Sequence, residues 1–278
     1  MIVQSTVKPT LRVLSLGAGV QSSVMALMAA HGEIDRPNCA IFADTQWEPK
    51  GVYEHLDWLE SVISNPLRVD HPFPVYRVTN GNIREDALRG RNTTGQKFSS
   101  MPLFTKGGAM GRRQCTREYK IDPIRKEIRR VLGVKRGARV QHKVTQLIGI
   151  STDEAGRMKP SRDKWCKNTW PLIDADMSRV DCIRWFEKEY PGRVLAKSAC
   201  IGCPFHNDKS WRDKKVNDPV SFADAVSFDA ALRSGGDKGR FYEDVFLHRS
   251  LQPLDEVDFR NLEDMGQLNM FNNECEGM

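Results

Sequence analysis

Apolar and polar positions along this chain switch between two periods. Val13, Leu14 and Leu16 form a short apolar run that gives way to Gly17-Ala18-Gly19 and Gln21-Ser22-Ser23, after which an apolar helical stretch runs from Val24 to Ala30. This order predicts strand, glycine turn, helix. Residues 38–43 (NCAIFA) read as a second buried strand, ending in Asp44-Thr45 and followed by Trp47-Glu48-Pro49. From Pro49 onward, Tyr53, Leu56, Leu59 and Ile63 recur at helical spacing. Residues 75–78 predict a third strand and residues 82–89 a short helix. Residues 90–114 are rich in Gly, Thr, Ser and Lys without a period, and so long a loop is commonly functional. Asp122-Pro123 predicts a helix start with proline at its first position. Ile124, Ile128, Val131 and Leu132 would point inward and Gly133 would end it, leaving Arg125, Lys126, Arg129 and Arg130 on the other face. Residues 143–150 predict a further strand, residues 177–190 a helix, and the chain beyond Cys203 reads mostly helical.

Alternating strands and helices of these lengths predict an α/β fold, a Rossmann-like parallel sheet with helices on both faces, plus a mostly helical, cysteine-bearing C-terminal region. The expected domains are residues 1–160 as the α/β core carrying the glycine loop, residues 161–253 as a helical region with the cysteine pair, and residues 254–278 as an acidic tail. Met270 and Phe271 are the packing candidates within that tail.

Composition narrows the class. The 278 residues suffice for a full core, and 40% hydrophobic with 28% charged residues is ordinary for a globular protein. No apolar run reaches about 18 residues, the length of a membrane span, and the N-terminus lacks a basic segment followed by an apolar one. The expectation is a cytoplasmic protein without membrane contact. The formal charge of +6 is unevenly spread: residues 254–278 hold seven acids and one arginine, whereas residues 106–143 carry thirteen Lys/Arg against three acids. The basic segment suits the phosphates of a nucleotide or a nucleic acid, with Arg112, Arg113, Arg117 and Lys120 as the candidate contacts. The plainer alternative is a solvated helix face.

The glycine turn is the first candidate site. Glycines let a backbone approach a ligand closely, the helix start aims unpaired N–H groups at it, and Ser22 and Ser23 add hydroxyls, so an anion is the natural guest. An ordinary turn between strand and helix is the alternative. Asp44 and Thr45, at the carboxyl end of a strand, lie where open α/β sheets bind ligands. Seven cysteines in such a chain suggest metal or thiol chemistry rather than a disulfide scaffold. Cys200-Ile-Gly-Cys203 can grip a zinc ion or an iron–sulfur cluster. The preferred ligands are Cys115, Cys200 and Cys203, with Cys166, Cys275, His206 or no protein group as the fourth. A redox dithiol of Cys200 and Cys203 is the competing reading. Cys39 and Cys182, in a strand and a helix, are read as packing residues.

Taken together, these motifs resemble the adenine-nucleotide α-hydrolase superfamily, in its phosphoadenylyl-sulfate (PAPS) reductase and ATP pyrophosphatase branch. Its SGGxDS loop is similar to Gly17-Ala18-Gly19-Val20-Gln21-Ser22, with Gly17 in place of the first serine and Gln21 in place of the acid. Phe42-Ala43-Asp44-Thr45 with Glu48 resembles the FxDTGxE element near the nucleotide. Gly149-Ile150-Ser151, continuing to Asp153-Glu154 and Arg157, resembles the later phosphate-side segment. Cys115-Thr116-Arg117-Glu118-Tyr119-Lys120, running on to Pro123-Ile124, resembles the CC-x-x-R-K-x-x-P-L stretch of cluster-containing sulfonucleotide reductases, with Thr116 in place of the second cysteine. Cys200 and Cys203 match the family's distant CxxC.

The resemblance implies a fold of the superfamily's type over residues 11–206 and a site for ATP with Mg. It assigns nucleotide contacts to Ser15, Gly17, Gly19, Ser22, Ser23, Phe42, Asp44, Thr45, Gly149 and Arg157, and catalytic roles to Asp44, Gln21 and Arg157. It also implies a [4Fe–4S] cluster rather than zinc on Cys115, Cys200 and Cys203, as in the superfamily's thiolation enzymes, where three cysteines leave one iron open to take sulfur; Cys166 stays a candidate for the fourth position. The activity implied is ATP-dependent sulfur transfer to a nucleic acid, releasing AMP and pyrophosphate, as in DNA phosphorothioation or tRNA thiolation. A sulfur donor such as a cysteine desulfurase would serve it, and a homodimer is compatible. The alternatives are a sulfonucleotide reductase with Cys275, in a Glu274-Cys275-Glu276-Gly277 tail, as nucleophile, and a redox-sensing nucleotide-binding regulator.

Overall fold

The computed structural model describes residues 11–233 and 244–260. In chain order the elements are β1 (Leu11–Leu16), α1 (Val20–Ala30), β2 (Cys39–Asp44), α2 (Lys50–Ile63), β3 (Val75–Thr79), α3 (Ile83–Leu88) and β4 (Phe104–Thr105). A π-helical turn, Thr116–Ile121, then runs into α4 (Asp122–Val131). It is followed by β5 (Val144–Ile148), a 3-10 turn (Thr152–Arg157), β6 (Cys166–Thr169), α5 (Pro171–Asp174), α6 (Arg179–Glu189), α7 (Asp208–Asn217), α8 (Pro219–Arg233) and β7 (Val245–Phe246).

Contacts divide the chain into two compact units, and the division differs from the expected break after residue 160. One unit holds the chain up to Gly81 together with Thr116–Ala199; the other holds Asn82–Cys115 and the chain from Cys200 onward. Residues 161–199 therefore belong with the core, because β6 pairs with β5 and α6 packs on α1. The unperiodic segment 90–114 belongs to the second unit, where β4 pairs antiparallel with β7. The expected tail beyond residue 260, with Met270, Phe271 and Cys275, lies outside the described residues.

The first unit is an α/β fold around a five-stranded, all-parallel sheet in the order β3-β2-β1-β5-β6, with helices on both faces. Strand alternation sorts its side chains by face. Leu14 and Leu16 of β1, with Ala40, Phe42 and Leu147, pack against α1, α2 and α6. Val13, Cys39, Ile41, Ala43 and Val144 face the opposite way, onto Ile124 and Ile128 of α4. Helix α1 is buried on nearly every side, so it is apolar all round rather than striped. It starts at Val20, four residues earlier than its apolar run suggests, because Gln21 and Ser23 are buried as polar residues with partners. The expected helix after Pro49 is α2, the short helix expected over residues 82–89 is α3, which the Asn82 side chain caps, and Gly133, at φ +66°, follows the end of α4 as expected.

Two local features depart from the expectation. Asp122-Pro123 begins the α-helix with proline in its first turn, as expected, but Asp122 is not a free cap: the chain is already helical from Thr116, and a π turn precedes the proline. Pro123 lacks an N–H and its ring crowds the preceding turn, and a widened turn accommodates it. Second, the polar segment at Cys166, for which no element is expected, is the edge strand β6. Among the described residues, no helix is long and apolar enough to cross a membrane.

A buried polar pair lies behind α1. Ser23 Oγ and His55 Nε2 share a hydrogen bond of 2.9 Å, with Trp58 and Phe186 against the imidazole. Burial first, and the charge of Arg193 second, push the His55 pKa down to about 4. The folded protein therefore holds His55 neutral, whereas the unfolded chain protonates it near its ordinary 6.5. The stability this confers is complete above the unfolded value and is lost as pH falls toward the folded one, by as much as about 3 kcal/mol at roughly 1.36 kcal/mol per unit. We expect the melting temperature to fall between pH ~6.5 and ~5. His55→Gln, which keeps a partner for Ser23 but does not titrate, should flatten that part of the curve. Parallel slopes for both proteins would mean that His55 titrates normally.

Candidate nucleotide-binding cavity

A cavity of about 710 Å³ opens within the first unit at the carboxyl ends of β1, β2 and β5. From β1 the chain proceeds outward to β2 and β3 and later returns on the other side of β1 as β5. The cavity thus lies at the topological switch point, where open parallel sheets leave a crevice.

The glycine turn forms one wall. The amides of Gly17 and Gly19 both donate to Ser22 Oγ, at 3.1 and 3.3 Å, so two backbone N–H groups already converge on a single oxygen. Ser22 Oγ in turn donates to Gly19 O at 3.3 Å. The first turn of α1 adds unpaired N–H groups and the positive end of the helix dipole. Ala18 holds a left-handed backbone (φ +52°), a conformation that favours glycine and that the tight turn imposes. Gly149 closes the turn from the other side. A Cβ there would stand 2.9 Å from Ser22 N and 3.1 Å from Gln21 C, both backbone atoms that cannot swing away.

Charge is the second property of the cavity. Lys120, Arg157, Arg179 and Lys197 line it, against one lining acid, Glu154, among the described residues. Glu154 Oε1 lies 2.6 Å from Arg157 Nη1. Lys120 Nζ lies 3.7 Å from Glu48 Oε1, and the Glu48 carboxylate, buried beside Thr45 Oγ1 at 3.1 Å, anchors that lysine. Gln21 is buried and bridges two elements: its Nε2 donates to Ser151 Oγ at 3.2 Å and its Oε1 accepts from Arg179 Nη1 at 3.1 Å. Asp153 accepts from the backbone N of Arg179 at 2.8 Å, which fixes the start of α6 and holds the Asp153 carboxyl below its ordinary range. Leu16, Phe42, Ile124 and Ile148 supply the apolar lining.

Most expected nucleotide contacts meet here: Ser15, Gly17, Gly19, Gln21, Ser22, Phe42, Gly149 and Arg157 all line the cavity. Three do not. Ser23 points to the back of α1, onto His55. Asp44 Oδ1 accepts from Tyr53 OH at 2.8 Å and from Gln46 N at 2.7 Å, which makes it a loop anchor, and Thr45 is buried against Glu48. Arg179, Lys197 and Ser198 were missed. Arg179 carried a sequence signal, since an arginine at the first position of a helix is the wrong charge for the dipole.

The basic segment is more tied than its composition suggests. On α4, Arg125 pairs with Asp163, Lys126 donates to Asn80 Oδ1, Arg129 donates to the carbonyls of Lys135 and Ala138, and Arg130 grips Glu127. Arg117 lies 3.8 Å from Asp122, and Lys120 belongs to the cavity. In the second unit Arg112 is exposed and Arg113 stacks over the Phe205 ring at 4.8 Å.

Among the described residues, no group of three or more His, Cys, Asp or Glu side chains is placed to hold a metal ion. In the second unit Cys200 and Cys203 form a tight turn, Cys203 N to Cys200 O at 3.2 Å, and the His206 ring hydrogen-bonds the same carbonyl at 3.1 Å. Cys166 belongs to the other unit, where its thiol donates to Gln146 Oε1 at 3.6 Å and burial raises its pKa. Cys39 and Cys182 are buried packing residues, as expected, with thiols pushed up to about 11 by burial. The described residues thus present no ready-made ligand set for the expected cluster, and Cys275 lies outside them.

No protein-family model matches this chain, and comparison with curated proteins returns no relative. The site therefore rests on its geometry. Gly149→Ala should force the β5 end and the first turn of α1 apart, at a cost of about 1–3 kcal/mol. Gly156→Ala, with open space around its Cβ, should melt like the wild type. Equal melting temperatures for all three proteins would show that the close approach is not required.

Proposed function

We propose that this protein is a nucleotidyl-activating enzyme that binds ATP in the sheet-end cavity and releases pyrophosphate. The observation that carries the reading is the convergence of the Gly17 and Gly19 amides on one oxygen, at a helix start, in a cavity with four cationic side chains. Phosphate oxygens suit that wall, and the apolar patch of Leu16, Phe42, Ile124 and Ile148 suits a base.

In the proposed reaction an acceptor oxygen attacks the α-phosphorus, the bond to the bridging α–β oxygen breaks, and pyrophosphate leaves with the electron pair. The acceptor's proton passes to solvent. The loop amides, Arg157 and Arg179 would stabilise the charge that builds on the departing oxygens. A sulfur nucleophile would then displace AMP from the activated acceptor. The choice of sulfur and of a nucleic acid as acceptor comes from the resemblance of the motifs, and the exposed Arg112 and the Arg113–Phe205 stack are surfaces of suitable chemistry for a polymer.

Incubation with labelled ATP, nucleic acid and a persulfide donor should yield AMP and pyrophosphate. Arg157→Ala should lower kcat on the order of a hundredfold, the usual scale for one charge-stabilising donor. A folded protein that releases no AMP with DNA, RNA or neither would sink the proposal. Anaerobic purification with iron and zinc counts tests the sulfur-transfer extension separately. About four irons per chain, lost in Cys200→Ser, would support it, and a colourless zinc protein would remove it.

A further inference from the structure

The charge arrangement around Gln21 says how the nucleotide's own charge is balanced. A magnesium ion on a triphosphate is ordinarily held by phosphate oxygens together with one or two protein carboxylates. The cavity offers one lining carboxylate among the described residues, Glu154, and that group is engaged with Arg157 at 2.6 Å. Where the similar loop motif carries an acid, this chain has Gln21, whose amide makes two hydrogen bonds: Nε2 to Ser151 Oγ and Oε1 from Arg179 Nη1. The donor set therefore does not fit the expected Mg site.

Gln21 does something an acid would not. A carboxylate at that position would pair with Arg179 and cancel its charge. The neutral amide orients the guanidinium with a hydrogen bond and adds no opposing charge; the acid that acts on Arg179, Asp153, is engaged with its backbone N–H. Arg179 is also fixed through its backbone, since Asp153 accepts from its N–H. With Lys120, Arg157 and Lys197 on the same cavity, the wall is cationic without any metal.

We infer that the cavity takes a polyphosphate as the free polyanion, balanced by side-chain cations in the place of a divalent metal, and that Gln21 is the positioning residue that keeps Arg179 available for it. This rests on the nucleotide reading above. The ligand class it names is a di- or triphosphate, or pyrophosphate itself, uncomplexed.

The test is equilibrium binding of α,β-methylene ATP and of inorganic pyrophosphate in excess EDTA and in excess Mg. The wild type should bind both probes in EDTA, with a Kd within about twofold of, or tighter than, that in Mg. Arg179→Gln should weaken both in EDTA by on the order of tenfold or more, the scale of one charge-assisted hydrogen bond, and Arg179→Lys should restore part of it. Gln21→Glu should lose EDTA binding and recover it in Mg. Should Gln21→Glu fail to fold, the two Arg179 variants and the EDTA comparison decide alone. Binding that requires Mg, or pyrophosphate affinity unchanged in Arg179→Gln, overturns the inference and leaves the nucleotide reading standing. Binding of neither probe in either buffer overturns both.

Discussion

The end of β5 and the first turn of α1 approach so closely that no side chain fits between them, and the cavity depends on that contact. Gly149 lies against the backbone of Gln21 and Ser22. Because both partners are backbone, the separation is set by sheet and helix geometry rather than by a rotamer. It fixes where the α1 amides point, holds Gln21 within reach of Ser151 just beyond β5, and so ties the glycine turn to the start of α6 through Arg179. The parallel pairing of β1 with β5 sets the register from which this follows, with Ser15 opposite Ile148 immediately before the two turns diverge.

Around this contact the polar groups divide by depth. Behind α1, Ser23 and His55 satisfy each other in an apolar surround, where a charge would be costly, and His55 stays neutral. On the cavity side the cations gather: Arg157 pairs with Glu154, whereas the Gln21 amide holds Arg179 without neutralising it. Lys120 is the intermediate case. Its partner Glu48 is buried, so the pair is anchored from below and the lysine reaches the cavity from the widened turn that precedes Pro123.

The fold was legible where burial and capping agree. β1 and β2 are short, mainly apolar runs, α2 shows a clean stripe after Pro49, and Asn82 caps α3 with its side chain. β6 was not legible, because its CKNT sequence is polar and its strand character comes from pairing with β5 alone. The unit boundary was hidden for a related reason: β4 pairs with β7 across a long stretch of chain, and no local pattern announces such a partner. Within the site, the glycines and Gln21-Ser22 were readable as a loop, but the direction of each hydroxyl was not. Ser22 and Ser23 are adjacent in sequence and lie on different faces of α1, one on the loop amides and one on His55.

The cysteines show the limit of spacing as an argument. A CxxC turn forms wherever the local backbone allows, and Cys200 and Cys203 form one. A cluster needs further ligands brought in by tertiary structure, and the nearest candidates by sequence are already engaged: His206 with the Cys200 carbonyl, Cys166 with Gln146 on the sheet of the other unit. The sheet-end cavity has no such dependence. Its loop, its cations and its apolar wall all come from the first unit, whose sheet brings them together at one edge. Anion binding at the glycine turn is therefore what the groups of this unit are arranged to favour, and the proposed phosphoryl chemistry draws on no side chain of the second unit.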